Sequence, residues 1–348
     1  MCCKNGCACF PVPENGENDA DPRALQCEKQ VTGLEPVTAR NGRRLGTADC
    51  RTRENDKYSQ NVLMKGFKNM KHAVVMQTDF GTDNLSVSTM KGVCRQICPE
   101  LDLFDSTHAI RTFDVLAASD ALVYTIPFWP EETVFVSVVD PGVGTARKSC
   151  VAKLKNGSYI VTPDNGTLTY VKEQIGIVAV REIDETVNRY PTTRDVHIFH
   201  GRDVYAYCAG RLAAGVIDFE GVGPEYPVEE IVMAPYIHPE CSNGVLTGML
   251  NEATEHFGLV GTNIPFRWLA ENDMVYGDKV HVTLENDGKT VLDEILPLEK
   301  SFGFVPLKAA FVFSSETSTV MLAKNQGNLV KDLGLDYGPS WKITLKKA

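Results

Sequence analysis

Three short segments carry the residue types from which proton transfer could be built. Asp140-Pro-Gly-Val-Gly-Thr145, with Arg147 two residues on, follows the apolar run Thr133–Val139. Asp79-Phe80-Gly81 follows Ala73–Thr78, and His200-Gly201-Arg202-Asp203 follows Val196–Phe199. Each is a polar cluster directly behind a run that reads as a buried strand. In open α/β sheets, ligands sit beyond the carboxyl ends of strands, where loops rather than packing decide residue choice. Three such ends would bring Asp79, Asp140, Arg147 and His200 to one rim. A carboxylate held ionised by a guanidinium, beside an imidazole, can orient a small polar molecule and take its proton. Each piece also has an ordinary reading. Asp before Pro-Gly is common in turns, and a histidine can simply sit at a helix entry, with Asp203 offsetting the helix dipole.

Other chemistries lack their residues. No Gly-Lys-Ser/Thr follows the 140–145 loop, so it is not a Walker-type phosphate cradle. Asp79-Phe80-Gly81 looks like a kinase triplet but has neither a glycine-rich nucleotide loop nor a catalytic loop upstream. The sequence holds no Gly-x-Ser-x-Gly, His-Glu-x-x-His or Gly-x-Gly-x-x-Gly, which removes serine hydrolases, zincins and dinucleotide dehydrogenases. A carboxylate such as Asp79, at the end of a first strand, is well placed to accept hydrogen bonds from a ribose diol. A missing side chain at Gly201 lets a ligand approach the backbone.

The elements that must position these residues alternate over about 72–235. The pattern predicts strand 73–79, helix 84–97, strand 101–105, helix 112–126, strand 133–139 and a hairpin turning at Asn156-Gly157. Helix 166–174, strand 177–183, strand 195–199 and helix 203–215 follow. Alternation of this kind predicts an α/β unit with a mostly parallel, helix-covered sheet. After Pro235–Pro239 the runs become short and alternating, around 244–248, 258–263, 279–284 and 310–313, as in a small antiparallel β sheet or barrel. The expected organisation is an extension over 1–70, an N-terminal α/β domain over 71–235 and a C-terminal β domain over 243–348.

Composition sets further bounds. With 348 residues, 43% hydrophobic and 23% charged, the chain has room for two globular units. Its formal charge of −10 disfavours a nucleic-acid partner and suits a cationic small ligand. No apolar run approaches the ~20 residues needed to cross a bilayer. The first residues lack the apolar core of a secretion signal, so a cytoplasmic location is expected. Residues 1–70 show no periodicity and are expected to be disordered. Cys3, Cys7 and Cys9 cluster there without the paired spacing of a structural metal site, and no metal or cofactor is expected.

Taken together, these segments resemble the S-adenosyl-L-methionine hydroxide adenosyltransferases, relatives of the enzymes that make 5′-fluoro- and 5′-chloro-deoxyadenosine. The resemblance rests on Thr78-Asp-Phe-Gly81, Met90-Lys-Gly92, Thr107-His-Ala-Ile110, Val138-Val-Asp-Pro-Gly-Val-Gly-Thr145, Pro163-Asp-Asn-Gly166, Phe199-His-Gly-Arg-Asp203, Thr262-Asn-Ile264 and Asn325-Gln-Gly-Asn328, in family order from residue 72 onward. It implies an α/β domain followed by a β-barrel, and a homotrimer whose sites lie between subunits. It further implies hydrolysis of S-adenosyl-L-methionine to adenosine and L-methionine, without a cofactor. Asp140, Arg147 and His200 fall on the family's catalytic trio. Asp79, Asn84, Ser86, Phe113, Gly201, Thr254, Phe257, Leu259 and Gln326 fall at positions that bind substrate. Halide-using relatives place Tyr where Asp140 stands, and fluorinating ones place Ser where Gly201 stands, so the chain resembles the water-using branch. Asn84 and Thr254 replace acids that face the methionine amine, and Leu259 replaces an adenine-facing Asn. Those departures leave two alternatives: a nucleoside-binding protein with little catalysis, or a hydrolase of another adenosyl sulfonium.

Overall fold

The structure, a computed structural model, describes residues 72–348. The expected disorder of 1–70 and the Cys3, Cys7 and Cys9 cluster lie outside the described residues. Two sheets organise the chain. The first is built from β1 (Val74–Thr78), α1 (Ser86–Ile97), β2 (Leu103–Thr107), α2 (Val115–Thr125), β3 (Val134–Val138), β4 (Ser149–Leu154), β5 (Tyr159–Pro163), β6 (Ile177–Glu182), α3 (Tyr207–Ala213) and β7 (Glu225–Tyr226). Its strand order is β2-β1-β3-β5-β4-β6-β7. Pairing is parallel from β2 through β5 and antiparallel beyond, because the β4–β5 hairpin turns the chain back. The sheet is therefore mixed, with its parallel part confined to the half that carries Asp79 and Asp140.

Both central strands are buried along their whole length, which is why they read as unbroken apolar runs. Val74, Met76, Val134 and Val136 pack on one face with Met90 and Cys94 of α1 and Cys208 and Leu212 of α3. Val75 and Phe135 point the other way, to Leu122 of α2. Buried Gln77 pins α2 to the sheet, donating to the Ala118 carbonyl at 2.8 Å and to Ser137 Oγ at 2.9 Å. Chain order runs from β1 outward to β2 and then back to β3 on the opposite side. In open α/β sheets such a reversal, beyond the carboxyl ends of β1 and β3 here, is where ligands bind.

Several expected elements differ. The ladder from β1 to β2 begins at Leu103, not 101, because Leu101 is a buried plug in the turn closed by its amide on Cys98. The helix expected over 166–174 is present over 169–175, with residues 167–168 in a turn and Val171–Ile175 wound as a π-helical turn. The Thr167 amide and hydroxyl both bond to the Asn165 side chain, which delays the helix start. Residues 195–199 are not a strand, since β5 occupies the place beside β3 and Ile198 is exposed.

The second sheet follows the order β12-β11-β15-β9-β10-β14-β13, with β8 (Glu240–Ser242) pairing β9. Its strands are β9 (Val245–Thr254), β10 (Leu259–Pro265), β11 (Lys279–Asn286), β12 (Lys289–Pro297), β13 (Ala310–Ser314), β14 (Thr319–Lys324) and β15 (Trp341–Lys347), all antiparallel neighbours. A bridge from Leu298, just past β12, to Val312 of β13 brings the two ends together into a near-barrel. Leu246, Val260, Val282, Val312, Leu322 and Ile343 fill its interior.

Helix α2 lies along the seam between the sheets. Arg111 bonds both Asp114 at 2.7 Å and Asp336 at 2.9 Å, and stacks 4.0 Å above the Tyr337 ring. Asn251 donates to Asp120 at 2.8 Å, and burial pushes that carboxyl up to about 7. No helix among the described residues is long and apolar enough to cross a membrane.

Candidate active site

Asp140 leaves the end of β3, and two successive turns carry the chain back on itself. Val143 N donates to the Asp140 carbonyl at 3.2 Å, and Thr145 bonds the Gly142 carbonyl through both its amide, at 3.1 Å, and its hydroxyl, at 2.7 Å. The second turn needs Gly144, whose φ of +77° is unfavourable for other residues. A Cβ there would also lie 3.0 Å from the His197 carbonyl. That close approach seats the 140–147 loop against the segment leading to His200.

Arg147 then forks onto the carboxylate. Its Nε donates to Asp140 Oδ1 at 2.8 Å and its Nη2 to Oδ2, a bidentate pair whose side chains are 10% and 5% exposed. Nη2 also lies 3.0 Å from His200 Nδ1. A guanidinium only donates, so Nδ1 accepts, and the proton of the neutral ring is on Nε2. Burial chiefly, with the positive fields of Arg147 and Arg189, pushes the His200 pKa below its ordinary value despite Glu185 and Asp140. Burial disfavours the Arg147 charge, yet the hydrogen bonds to Asp140 and the fields of its acidic neighbours together outweigh it and raise the guanidinium pKa. The result is an ion pair flanked by a neutral imidazole that presents an N–H.

His200 opens a π-helical turn, Gly201–Ala206, that runs into α3; such turns often mark functional sites. Asp203 anchors the turn, fully buried and accepting from Arg202 at 2.7 Å and from Thr193 at 2.6 Å. Gly201 lies in an aromatic notch, where a Cβ would meet the rings of Phe80 and Phe199 at 3.2 Å. Ring packing there leaves little room for a side chain.

On the same rim, where the Asp79 amide reaches the Val138 carbonyl, Asp79 Oδ2 accepts from Phe113 N at 2.9 Å. Phe113 has a φ of +67° and is 66% exposed. An aromatic residue in this conformation is strained by roughly 1–2 kcal/mol. The Asp79 bond on one side and the Asp114 cap of α2, accepting from Ala117 N at 2.9 Å, hold it there. His108 is a structural histidine, bonded to Thr78 and Asp105 at 2.9 Å each. Asn84 is spent locally: its oxygen accepts from Ser86 N at 2.8 Å and its amide donates to the Phe80 carbonyl.

The remaining candidates are on the second sheet. Thr254 donates to Glu252 at 2.6 Å, Phe257 is 66% exposed, Leu259 packs at the edge of the Phe311 cluster, and the Gln326 carbonyl accepts from Lys308. Among the described residues, no hydrogen bond, ion pair or ring contact ties these four to Asp79, Phe113, Asp140 or His200. Sequence reasoning missed Ser149 and Tyr205, which close the back of the site. Two signals were available. Ser149 is two residues beyond Arg147 at a strand start, hence on the same side, and a buried tyrosine needs a partner for its hydroxyl.

Comparison with known proteins follows the same two-part division. The model of the SAM hydroxide adenosyltransferase N-terminal domain matches residues 74–223, and that of the C-terminal domain matches residues 254–342. An (R)-S-adenosyl-L-methionine hydrolase from Thermus thermophilus is 32% identical over 271 residues, 76% of this chain and 96% of that protein. The chain belongs to the SAM hydroxide adenosyltransferase family. A hydrolase of the same name from Methanocaldococcus jannaschii is 40% identical over 143 residues, a match spanning 40% of this chain and about half, 52%, of that relative. A crystal structure of an uncharacterized conserved protein from Thermotoga maritima superimposes with a TM-score of 0.72 at 31% identity, covering 79% of this chain and 100% of that one. Within the SAM hydroxide adenosyltransferase N-terminal domain fall Asp79, Phe113, Asp140, Arg147 and His200; Thr254, Phe257, Leu259 and Gln326 fall within the C-terminal one.

Proposed function

We propose that the protein hydrolyses S-adenosyl-L-methionine to adenosine and L-methionine by in-line attack of water on C5′. The convergence of Asp140, Arg147 and His200 carries this reading. The ribose C5′ beside a sulfonium is electrophilic, and its leaving group departs as a neutral thioether, so neither metal nor acid is needed to expel it. Water is the weak partner and must be held behind the C–S bond, a positioning effect worth several kcal/mol. The His200 Nε2–H donates to the water oxygen, leaving its second lone pair aimed at C5′. Asp140 accepts the water proton as the O–C5′ bond forms and the C5′–S pair passes to sulfur. Arg147 fixes the carboxylate through both oxygens. Because Nδ1 already accepts from Arg147, the imidazole serves as donor and Asp140 as base.

Asp79, with one oxygen on Phe113 N, offers the other to the ribose diol, and Phe113 packs on the ligand. Ser86 and Gly201 belong to the same face, while Asn84 holds the loop beside them. Thr254, Phe257, Leu259 and Gln326 act from a neighbouring subunit of a homotrimer; the two-thirds exposure of both Phe113 and Phe257 suits side chains completed by a partner. The five cysteines of the described residues are free thiols, which fits a cytoplasmic enzyme. The α/β domain spans 71–235 and the barrel 243–348.

A proton acceptor serves water and does nothing for a halide nucleophile, which favours hydrolysis over halogenation. Incubating purified protein with S-adenosyl-L-methionine is expected to release adenosine and methionine in equal amounts, with fluoride or chloride giving no halogenated nucleoside. Adenosine binding without turnover, or turnover only of sulfonium analogues lacking the amino-acid ammonium, contradicts the assignment.

A further inference from the structure

Tyr205 is fully buried, five residues beyond His200 in the π-helical turn. Its ring packs among core side chains, edge-on to His200 at 6.5 Å between centroids and 5.7 Å from the Arg147 guanidinium. Packing alone would be served by phenylalanine, whereas burying a hydroxyl is costly unless it is bonded. The hydroxyl is bonded twice, lying 3.2 Å from Asp140 Oδ2 and 3.3 Å from Ser149 Oγ. Ser149 in turn lies 2.8 Å from Arg147 Nη1.

Donor and acceptor roles in this ring are determined. Arg147 can only donate, so Ser149 accepts from it. The carboxylate only accepts, so the single phenol proton goes to Asp140. Ser149 must then direct its own proton to Tyr205. The hydroxyl protons of Ser149 and Tyr205 both have acceptors, and the circuit Arg147–Ser149–Tyr205–Asp140–Arg147 closes. The two carboxylate oxygens are thereby made unequal. Oδ2 takes Arg147 Nη2 and Tyr205; Oδ1 takes Arg147 Nε alone and keeps a lone pair. Burial, with Asp140 alongside, raises the phenol pKa far above its ordinary value, so the proton stays in place.

We propose that Tyr205, supported by Ser149, is a positioning residue that orients Asp140 so that Oδ1 receives the proton of the attacking water. This rests on the hydrolytic reading above. The test compares wild type with Tyr205→Phe and Ser149→Ala by steady-state kinetics across pH, thermal unfolding and ¹³C-carboxyl NMR titration of Asp140. For Tyr205→Phe, kcat is expected to fall about tenfold with KM changed less than about twofold, the scale of one hydrogen bond to a charged group. The acid limb of kcat and the Asp140 titration should both move to higher pH, because a lost donor disfavours the charged carboxylate. Ser149→Ala should move both in the same direction by less. A Tyr205→Phe enzyme with kcat within about twofold of wild type, or with an unmoved Asp140 titration, overturns the proposal and leaves the phenol as core filling. A wild-type protein that leaves S-adenosyl-L-methionine intact refutes the hydrolytic reading instead, and the carboxyl titration still decides whether Tyr205 orients Asp140.

Discussion

Asp140→Asn is expected to lower kcat on S-adenosyl-L-methionine by about a thousandfold, within the range for loss of a positioned general base. The substitution keeps the side chain's shape but removes the charge that accepts the water proton. It also sets an amide nitrogen against an Arg147 fork that can only donate, so one guanidinium hydrogen loses its acceptor. Asp79 and Phe113 keep their mutual bond. Adenosine should therefore bind within about threefold of wild type by calorimetry, since a group that works only on the attacking water contributes little to ground-state binding. A variant retaining more than a tenth of wild-type kcat removes Asp140 from the chemistry.

Arg147→Met should produce the largest loss of stability, about 3–5 kcal/mol by urea unfolding, because it strands a carboxylate that is 5% exposed. The His200 Nδ1 and Ser149 hydroxyl lose their donor at the same time. Adding Asp140→Asn to that background should recover a substantial part of the loss, as expected for two groups coupled through one buried interaction. Arg147→Lys should fail to restore activity. A single ammonium carries three donors on one atom and cannot reach both carboxylate oxygens, Ser149 and His200 in the planar spread of the guanidinium. A loss below about 1 kcal/mol for Arg147→Met would mean that the pair is solvated and that the buried geometry is not what holds the site.

The legible parts of the sequence were those set by burial and chain order. Strands β1 and β3 show as apolar runs because both faces are covered, and their ends at Asp79 and Asp140 mark the rim of the site. Arg147 was readable as a partner because seven residues of turn suffice to bring it back. His200 was read correctly as lying near that pair, but from a strand that does not exist. The segment Val196–Phe199 reaches the rim as a loop braced on Gly144, a contact set by backbone approach and invisible to periodicity. The helix read over 166–174 starts three residues late, at 169, because the Thr167 amide and hydroxyl bond to the Asn165 side chain. The Ser149–Tyr205 ring was missed because a tyrosine in an apolar stripe looks like packing until its hydroxyl's neighbours are known.

Hydrolysis by a water held against Asp140, Arg147 and His200 is tested most directly by turnover of S-adenosyl-L-methionine in H₂¹⁸O, with mass spectrometry of both products. One ¹⁸O atom in the adenosine 5′-hydroxyl and none in methionine is the predicted result. Adenosine carrying only ¹⁶O from a protein that nonetheless consumes the substrate would contradict it, since the oxygen then came from something other than solvent.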